Sequence, residues 1–328
     1  MKIVFAGSPD AAKITLEALY NKQSEFGFEI AGVLSNPPTA KGRHKTPTPT
    51  PVAAFALEKG LKVFTPEHLD AAAREQIAPL GADLLVCFAY GHIFGPKFLE
   101  LFRKGGINLH PSFLPKYRGC TPVQQAILEG DEELGISIQT LSLKMDEGDI
   151  LIQSSKKITE QDTTETLLTY SAATGAELIC QVIKESADSD HLISGKPQDK
   201  EGATYTHTIT KDMARIDWNE SALTISRKIR AYYPDPCCWC IEHKDSVLKI
   251  AHATTISFED AQLEFTQNVY KAFPIGKVLA YNKKTSGIYI KTGDGILNVT
   301  RLQRQGKNVM SAKDFMNGAK DFIGNVLQ

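Results

Sequence analysis

Three residues of this chain have the types and spacing to act on one carbonyl group. Asn108 and His110 lie in Asn108-Leu109-His110-Pro111-Ser112-Phe113-Leu114-Pro115, and Asp146 follows His110 by 36 residues in Met145-Asp146-Glu147-Gly148-Asp149. An Asn amide donates a hydrogen bond to charge developing on a carbonyl oxygen and does not titrate. A His exchanges a proton near neutral pH, and an Asp beside it fixes its tautomer. Together the three suit acyl transfer to an amine. Taken singly they also fit plainer roles as a turn cap, a strand-end histidine and a turn residue, because turns favour these types.

The flanking pattern shows what would position them. Gly106-Ile107-Asn108-Leu109-His110 reads as a short strand in which Ile107 and Leu109 alternate with Asn108 and His110, so the two polar side chains share a face. Pro111 has no N–H to donate, ends the pairing and opens a loop containing Pro115 and Gly119. Ligands bind at such strand ends in open α/β sheets. Asp146 lies beyond a second strand-like run over 135–141, in a glycine-containing turn before Ile150-Leu151-Ile152, within reach of the same rim.

The first half alternates apolar runs (3–6, 30–34, 82–89) with helical spacing at 11–20, and a helix over 163–184 closes it. This predicts a doubly wound, largely parallel sheet. Gly7-Ser8-Pro9-Asp10 stands where a dinucleotide site would need Gly-x-Gly-x-x-Gly, so such a site is poorly supported. Residues 187–208 are polar and read as a linker. After a helix at 222–231 come short strands at 239–241, 247–252, 276–281, 288–291 and 296–302, with hairpin signals at Lys283-Lys284-Thr285-Ser286-Gly287 and Thr292-Gly293-Asp294-Gly295. About five strands predict a small C-terminal β-barrel, for which an OB-like barrel is the natural candidate. The expected domains are therefore 1–186, a linker at 187–208, and 209–328.

Composition agrees with two domains: 328 residues, 42% hydrophobic and 23% charged, as in soluble globular proteins. No run approaches the roughly 18 apolar residues of a membrane span, and no signal-peptide pattern precedes the first strand, so a cytoplasmic protein without a membrane partner is expected. Cys237-Cys238-Trp239-Cys240 has a C-x-x-C spacing with His243 nearby, but no second pair completes four zinc ligands, so the run reads as a buried strand and no metal is expected. Residues 209–328 hold 17 Lys+Arg against 12 Asp+Glu, a charge of +5 that leaves −6 for 1–208. That excess suits a polyanion or simply a solvated basic surface. The 36–51 segment carries five prolines and the basic Lys41, Arg43, His44 and Lys45. At 16 residues it is either a binding loop or a tolerated insertion.

With their surroundings, these residues resemble the formyltransferase family that uses 10-formyltetrahydrofolate. Ser112-Phe113-Leu114-Pro115-Lys116-Tyr117-Arg118-Gly119 is similar to its Ser-Leu-Leu-Pro-x-aromatic-Arg-Gly signature, with Phe113 replacing one Leu. The likeness extends through Lys2 to Asp10, Ala89-Tyr90-Gly91, Ala214-Arg215-Ile216-Asp217-Trp218, Thr292 to Leu297 and Met310-Ser311-Ala312, and narrows to members that formylate methionine carried by initiator tRNA. The resemblance implies a Rossmann-like catalytic domain with Asn108, His110 and Asp146 as catalytic residues. It implies donor contacts at Phe88, Ala89, Tyr90, Ser112, Phe113, Leu114 and Pro115. It further implies tRNA contacts at Arg43, Lys41, Lys45 and Lys211, a role in translation initiation, and a monomer. Pro38 and Thr39 replace an Asp-Arg pair of the family, and Thr208 replaces a lysine. Other possibilities are a formyltransferase for an amino sugar nucleotide or another small amine, and a folate- or RNA-binding protein without chemistry.

Overall fold

The computed structural model describes residues 1–41, 46–243 and 246–328. The chain divides into two compact units, one of 1–122, 133–157 and 167–207, the other of 123–132, 158–166 and 208–328.

The first unit carries strands β1 (Lys2–Gly7), β2 (Glu29–Leu34), β3 (Thr39–Lys41), β4 (Thr46–Thr48), β5 (Val63–Phe64), β6 (Leu84–Phe88), β7 (Gly106–His110), β8 (Arg118–Gly119), β9 (Glu133–Thr140), β10 (Ile150–Lys157) and β11 (Tyr205–Thr206). Seven of them form one sheet in the order β10-β9-β7-β6-β1-β2-β5. Pairing is parallel from β7 through β6, β1 and β2 to β5, and antiparallel from β7 to β9 and from β9 to β10. The continuous apolar runs are buried on both faces, as a central parallel strand requires. Ile3, Phe5, Leu84, Val86 and Phe88 pack with Leu16 and Leu19, Val52 and Phe55, and Ala176 and Ile179, from the helices Asp10–Phe26, Pro51–Glu58 and Thr164–Glu185. Val4, Ala6, Leu85 and Cys87 enter a second core with Tyr90, Phe94, Phe98 and Phe102. Fully burying one such Leu, Ile or Phe contributes about 1.5–3 kcal/mol. Ile107 and Leu109 belong to the first core, so alternation turns Asn108 and His110 to the opposite face, as expected.

Within the 36–51 segment β3 and β4 pair antiparallel, Thr39 with Thr48 and Lys41 with Thr46. Arg43 and Lys45 lie outside the described residues, as does the side chain of Lys41.

The second unit contains β12 (Cys238–Ile241), β13 (Val247–Ile256), β14 (Val278–Asn282), β15 (Gly287–Lys291), β16 (Ile296–Arg304) and β17 (Met310–Ser311). They form an antiparallel sheet in the order β12-β13-β16-β15-β14, with β17 on β16. The two hairpin signals fall between β14 and β15 and between β15 and β16, as read from the sequence. The helix Ala222–Tyr232 starts where the Ser221 hydroxyl accepts the Thr224 N–H, and buries Ala222, Ile225 and Ile229 along one stripe. Cys238 and Cys240 alternate into the buried side of β12, where burial raises both thiols well above their ordinary range. Among the described residues no group of His, Cys, Asp or Glu has the geometry of a metal site, and no helix is long and apolar enough to cross a membrane.

Candidate active site

Asn108, His110 and Asp146 meet at the C-terminal end of β7. That strand lies between β6, where Cys87 is the register partner of Asn108, and β9, where Gln139 pairs with Asn108 and Ser137 with His110. The Asn108 amide nitrogen lies 3.4 Å from Asp146 Oδ1, and His110 Nδ1 lies 3.6 Å from Asp146 Oδ2. His110 Nε2 lies 2.9 Å from the carbonyl oxygen of Tyr117. A carbonyl can only accept, so Nε2 carries a hydrogen and Nδ1 is the ring nitrogen that faces the Asp146 carboxylate.

Asp146 is held from several directions. Its backbone is left-handed, with φ +54°. Its Oδ2 accepts the Gly119 N–H at 2.8 Å and its Oδ1 the Gln139 side-chain amide at 2.9 Å. One hydrogen of the Asn108 amide faces this carboxylate, and the amide carries a second that can serve another acceptor. Next door, burial pushes the Cys87 thiol up to about 12, and the negative charge of Asp146 adds to that rise. Cys87 is therefore an inert apolar neighbour and no rival nucleophile.

The 112–115 loop is fastened to the sheet. Ser137 Oγ donates to the Ser112 carbonyl at 2.6 Å while accepting from the Leu114 N–H at 3.3 Å and the Gln153 amide at 2.8 Å. Ser112 and Leu114 are buried, and Phe113 is 38% exposed. The loop approaches β9 so closely that a Cβ on Gly135 would lie 2.1 Å from the Phe113 nitrogen. Of the 88–90 group, Phe88 fills one core and Tyr90 the other, leaving Ala89 exposed at φ +50°. The exposed part of this group is thus Ala89, while its two aromatic rings pack inside.

The polar 187–208 segment does more than connect. Lys196 exchanges two backbone hydrogen bonds with Ile150, and β11 pairs in parallel with β8. The Thr204 carbonyl accepts the Arg118 N–H and its hydroxyl accepts the Tyr117 N–H, each at 2.8 Å. Gln198 bonds to Arg118, Gln139 and the backbone of the Asp146 turn. Composition hides this, because the partners are backbone groups and side chains far away in sequence. Gln139 and Gln198 are residues of the site absent from the sequence-based expectations, and Arg118 entered those only as part of the signature loop. A signal existed for Gln139: Ser137 and Gln139 alternate with Ile136 and Ile138 in a buried strand, where a polar side chain needs a partner. Lys211 belongs to the second unit, is exposed, and accepts the Trp239 indole N–H on its carbonyl at 2.9 Å.

The family described as "Formyl transferase" matches residues 1–183, and "Formyl transferase, C-terminal domain" matches 208–320. A methionyl-tRNA formyltransferase of Treponema denticola is 40% identical over 333 aligned residues, covering 98% of each chain. A second, from Treponema pallidum, is 36% identical over 327, covering 97% of each. The fold also resembles HypX from Aquifex aeolicus in complex with tetrahydrofolic acid, with a TM-score of 0.60 and 14% identity. That likeness covers 98% of this chain and 47% of HypX, so the chain spans about half of HypX's length. The chain belongs to the formyl transferase family, among the methionyl-tRNA formyltransferases.

Proposed function

We propose that this enzyme transfers a formyl group from 10-formyltetrahydrofolate to the α-amine of methionine esterified to initiator tRNA, supplying formylated initiator for translation in the cytoplasm. The full-length likeness to methionyl-tRNA formyltransferases carries this reading, and the meeting of Asn108, His110 and Asp146 at a strand end supports it. The amine nitrogen attacks the formyl carbon and the bond from that carbon to the folate nitrogen breaks. Asn108 donates to the formyl oxygen as it becomes tetrahedral. His110 takes the amine's proton at Nδ1, beside the Asp146 carboxylate that stabilises the resulting imidazolium, and returns a proton to the departing folate nitrogen. Holding the two reactants together lowers the barrier by removing their translational freedom beforehand.

The donor lies against Ala89, the backbone of 88–90 and the 112–115 loop, with Phe113 its most exposed side chain. The reacting groups belong to residues 1–186, and the tRNA is held by the 36–51 segment, with Arg43, Lys41 and Lys45, and by the basic 209–328 part, with Lys211 at its start. Phosphate contacts there position the acceptor arm without reading its sequence. The enzyme acts as a monomer.

The test offers purified protein methionyl-initiator tRNA, methionyl-elongator tRNA and free methionine in parallel, with 10-formyltetrahydrofolate. Formylation confined to the initiator is expected, and Asn108→Ala should lower kcat about 10²- to 10³-fold with folate binding kept. Inactivity of the unaltered protein on all three acceptors, with folate bound, would transfer the reading to a small-amine acceptor such as an amino sugar nucleotide.

A further inference from the structure

Gln198 has bonds that fix the orientation of every group between itself and the reacting carboxylate. Its Oε1 accepts from Arg118 Nε at 3.0 Å and from Nη2 at 2.9 Å. A guanidinium only donates, so the Gln198 amide cannot be turned around. Its Nε2 therefore faces three oxygens: the carbonyls of Asp146 at 2.8 Å and Gly148 at 2.7 Å, and Gln139 Oε1 at 3.1 Å. With Oε1 of Gln139 so engaged, its Nε2 must be the atom 2.9 Å from Asp146 Oδ1. Asp146 in turn faces Asn108 and His110. Arg118, only 3% exposed, is also paired with Tyr205 Oη at 3.0 Å and Glu147 at 3.4 Å, as a buried charge must be.

We propose that Gln198 is a positioning residue for formyl transfer: its amide holds the left-handed Asp146 turn and sets the Gln139 amide, and so aims the carboxylate at Asn108 and His110. The inference rests on the formyl-transfer reading given above. Gln198 touches no reacting atom in this scheme and works through Asp146. Glutamate at this position would keep the Arg118 pair, lose both N–H donors and set an anion against three oxygen acceptors. Leucine would lose all of these bonds.

Gln198→Glu and Gln198→Leu should each lower kcat on initiator tRNA roughly 10- to 100-fold, the scale of displacing a catalytic group by part of an ångström. KM for the donor and for the tRNA should change less than about threefold, because neither is bound through Asp146. In an Asp146→Asn background the further loss from Gln198→Leu should shrink below about threefold, as expected of two residues acting through one group. Unaltered kcat in Gln198→Glu, or a full additive loss in the double variant, overturns the proposal. A second measurement needs no activity. The Gly119 N–H is bonded to Asp146 Oδ2, so its hydrogen exchange should quicken at least tenfold in Gln198→Leu while exchange in β1 stays unchanged. Unchanged Gly119 exchange overturns the proposal even if the unaltered protein formylates none of the acceptors offered, an outcome that would by itself count against the formyl-transfer reading alone.

Discussion

Replacing Gly135 by alanine tests whether the close seating of the 112–115 loop on β9 is what the site depends on. The new methyl carbon would lie 2.1 Å from Phe113 N, 2.4 Å from its Cγ and 2.6 Å from its Cα. Two of these atoms are backbone, so a rotamer change cannot relieve them, and the loop must withdraw by more than 1 Å to reach ordinary contact. The Leu114 N–H, already 3.3 Å from Ser137 Oγ, would then lose its acceptor, and the 2.6 Å bond from Ser137 to the Ser112 carbonyl would be stretched or broken. Two such bonds at about 1 kcal/mol each, with about 1–3 kcal/mol for overpacking, give a loss of about 3–5 kcal/mol. A shift of ~1 Å in the groups around the reacting carbon costs about 10²-fold in rate. Thermal unfolding and steady-state formylation of initiator tRNA measure the two effects, and KM for the donor should rise. Adding Phe113→Ala removes the ring contact and leaves both backbone contacts, so it should restore little. Wild-type unfolding temperature and donor KM in Gly135→Ala would refute the reasoning.

Two predictions concern pH. Burial first, and then the charges of Arg301 and Arg230, hold His252 below the usual histidine range. Its contribution is fully present above the unfolded value of about 6.5 and is lost as pH falls from there toward the folded value, so His252→Gln should flatten the decline in unfolding temperature between about pH 7 and pH 5. Burial opposes the charge of Asp83, but the Lys2 N–H at 2.8 Å and the Arg103 guanidinium at 3.0 Å outweigh it and hold the carboxyl below its ordinary range. That contribution is present above the unfolded value and lost as pH falls through the folded one, so Asp83→Asn should matter at neutral pH and matter progressively less as pH falls below the unfolded value of about 3.9. In thiol labelling of the native protein, Cys120 is exposed and should react first, while buried Cys87, Cys180, Cys238 and Cys240 should react only on unfolding. Mass spectrometry of peptides labelled before and after denaturant decides this.

The strands and helices were legible wherever one period ran unbroken. Alternation in 106–110 placed Asn108 and His110 on one face, and hairpin glycines marked the turns of the second unit. The two aromatic residues beside Ala89 were harder to place. Phe88 and Tyr90 are spaced as if to share a face, yet the positive φ of Ala89 between them sends one ring to each core. Least legible were the long-range polar bonds. Gln198 lies 80 residues from Arg118 and 59 from Gln139, and an amide among polar neighbours carries no period.

The fastening of 196–207 across β8 and the Asp146 turn changes what counts as the minimal catalytic piece. A fragment ending at residue 186, where the long helix gives way to polar sequence, would keep Asn108, His110 and Asp146. It would lack Gln198, the Thr204 acceptors and β11. Such a fragment would keep the three residues proposed to react without the bonds proposed to aim them, whereas one carried through His207 would retain both. The boundary suited to cloning the catalytic half therefore lies about twenty residues beyond the one suggested by composition.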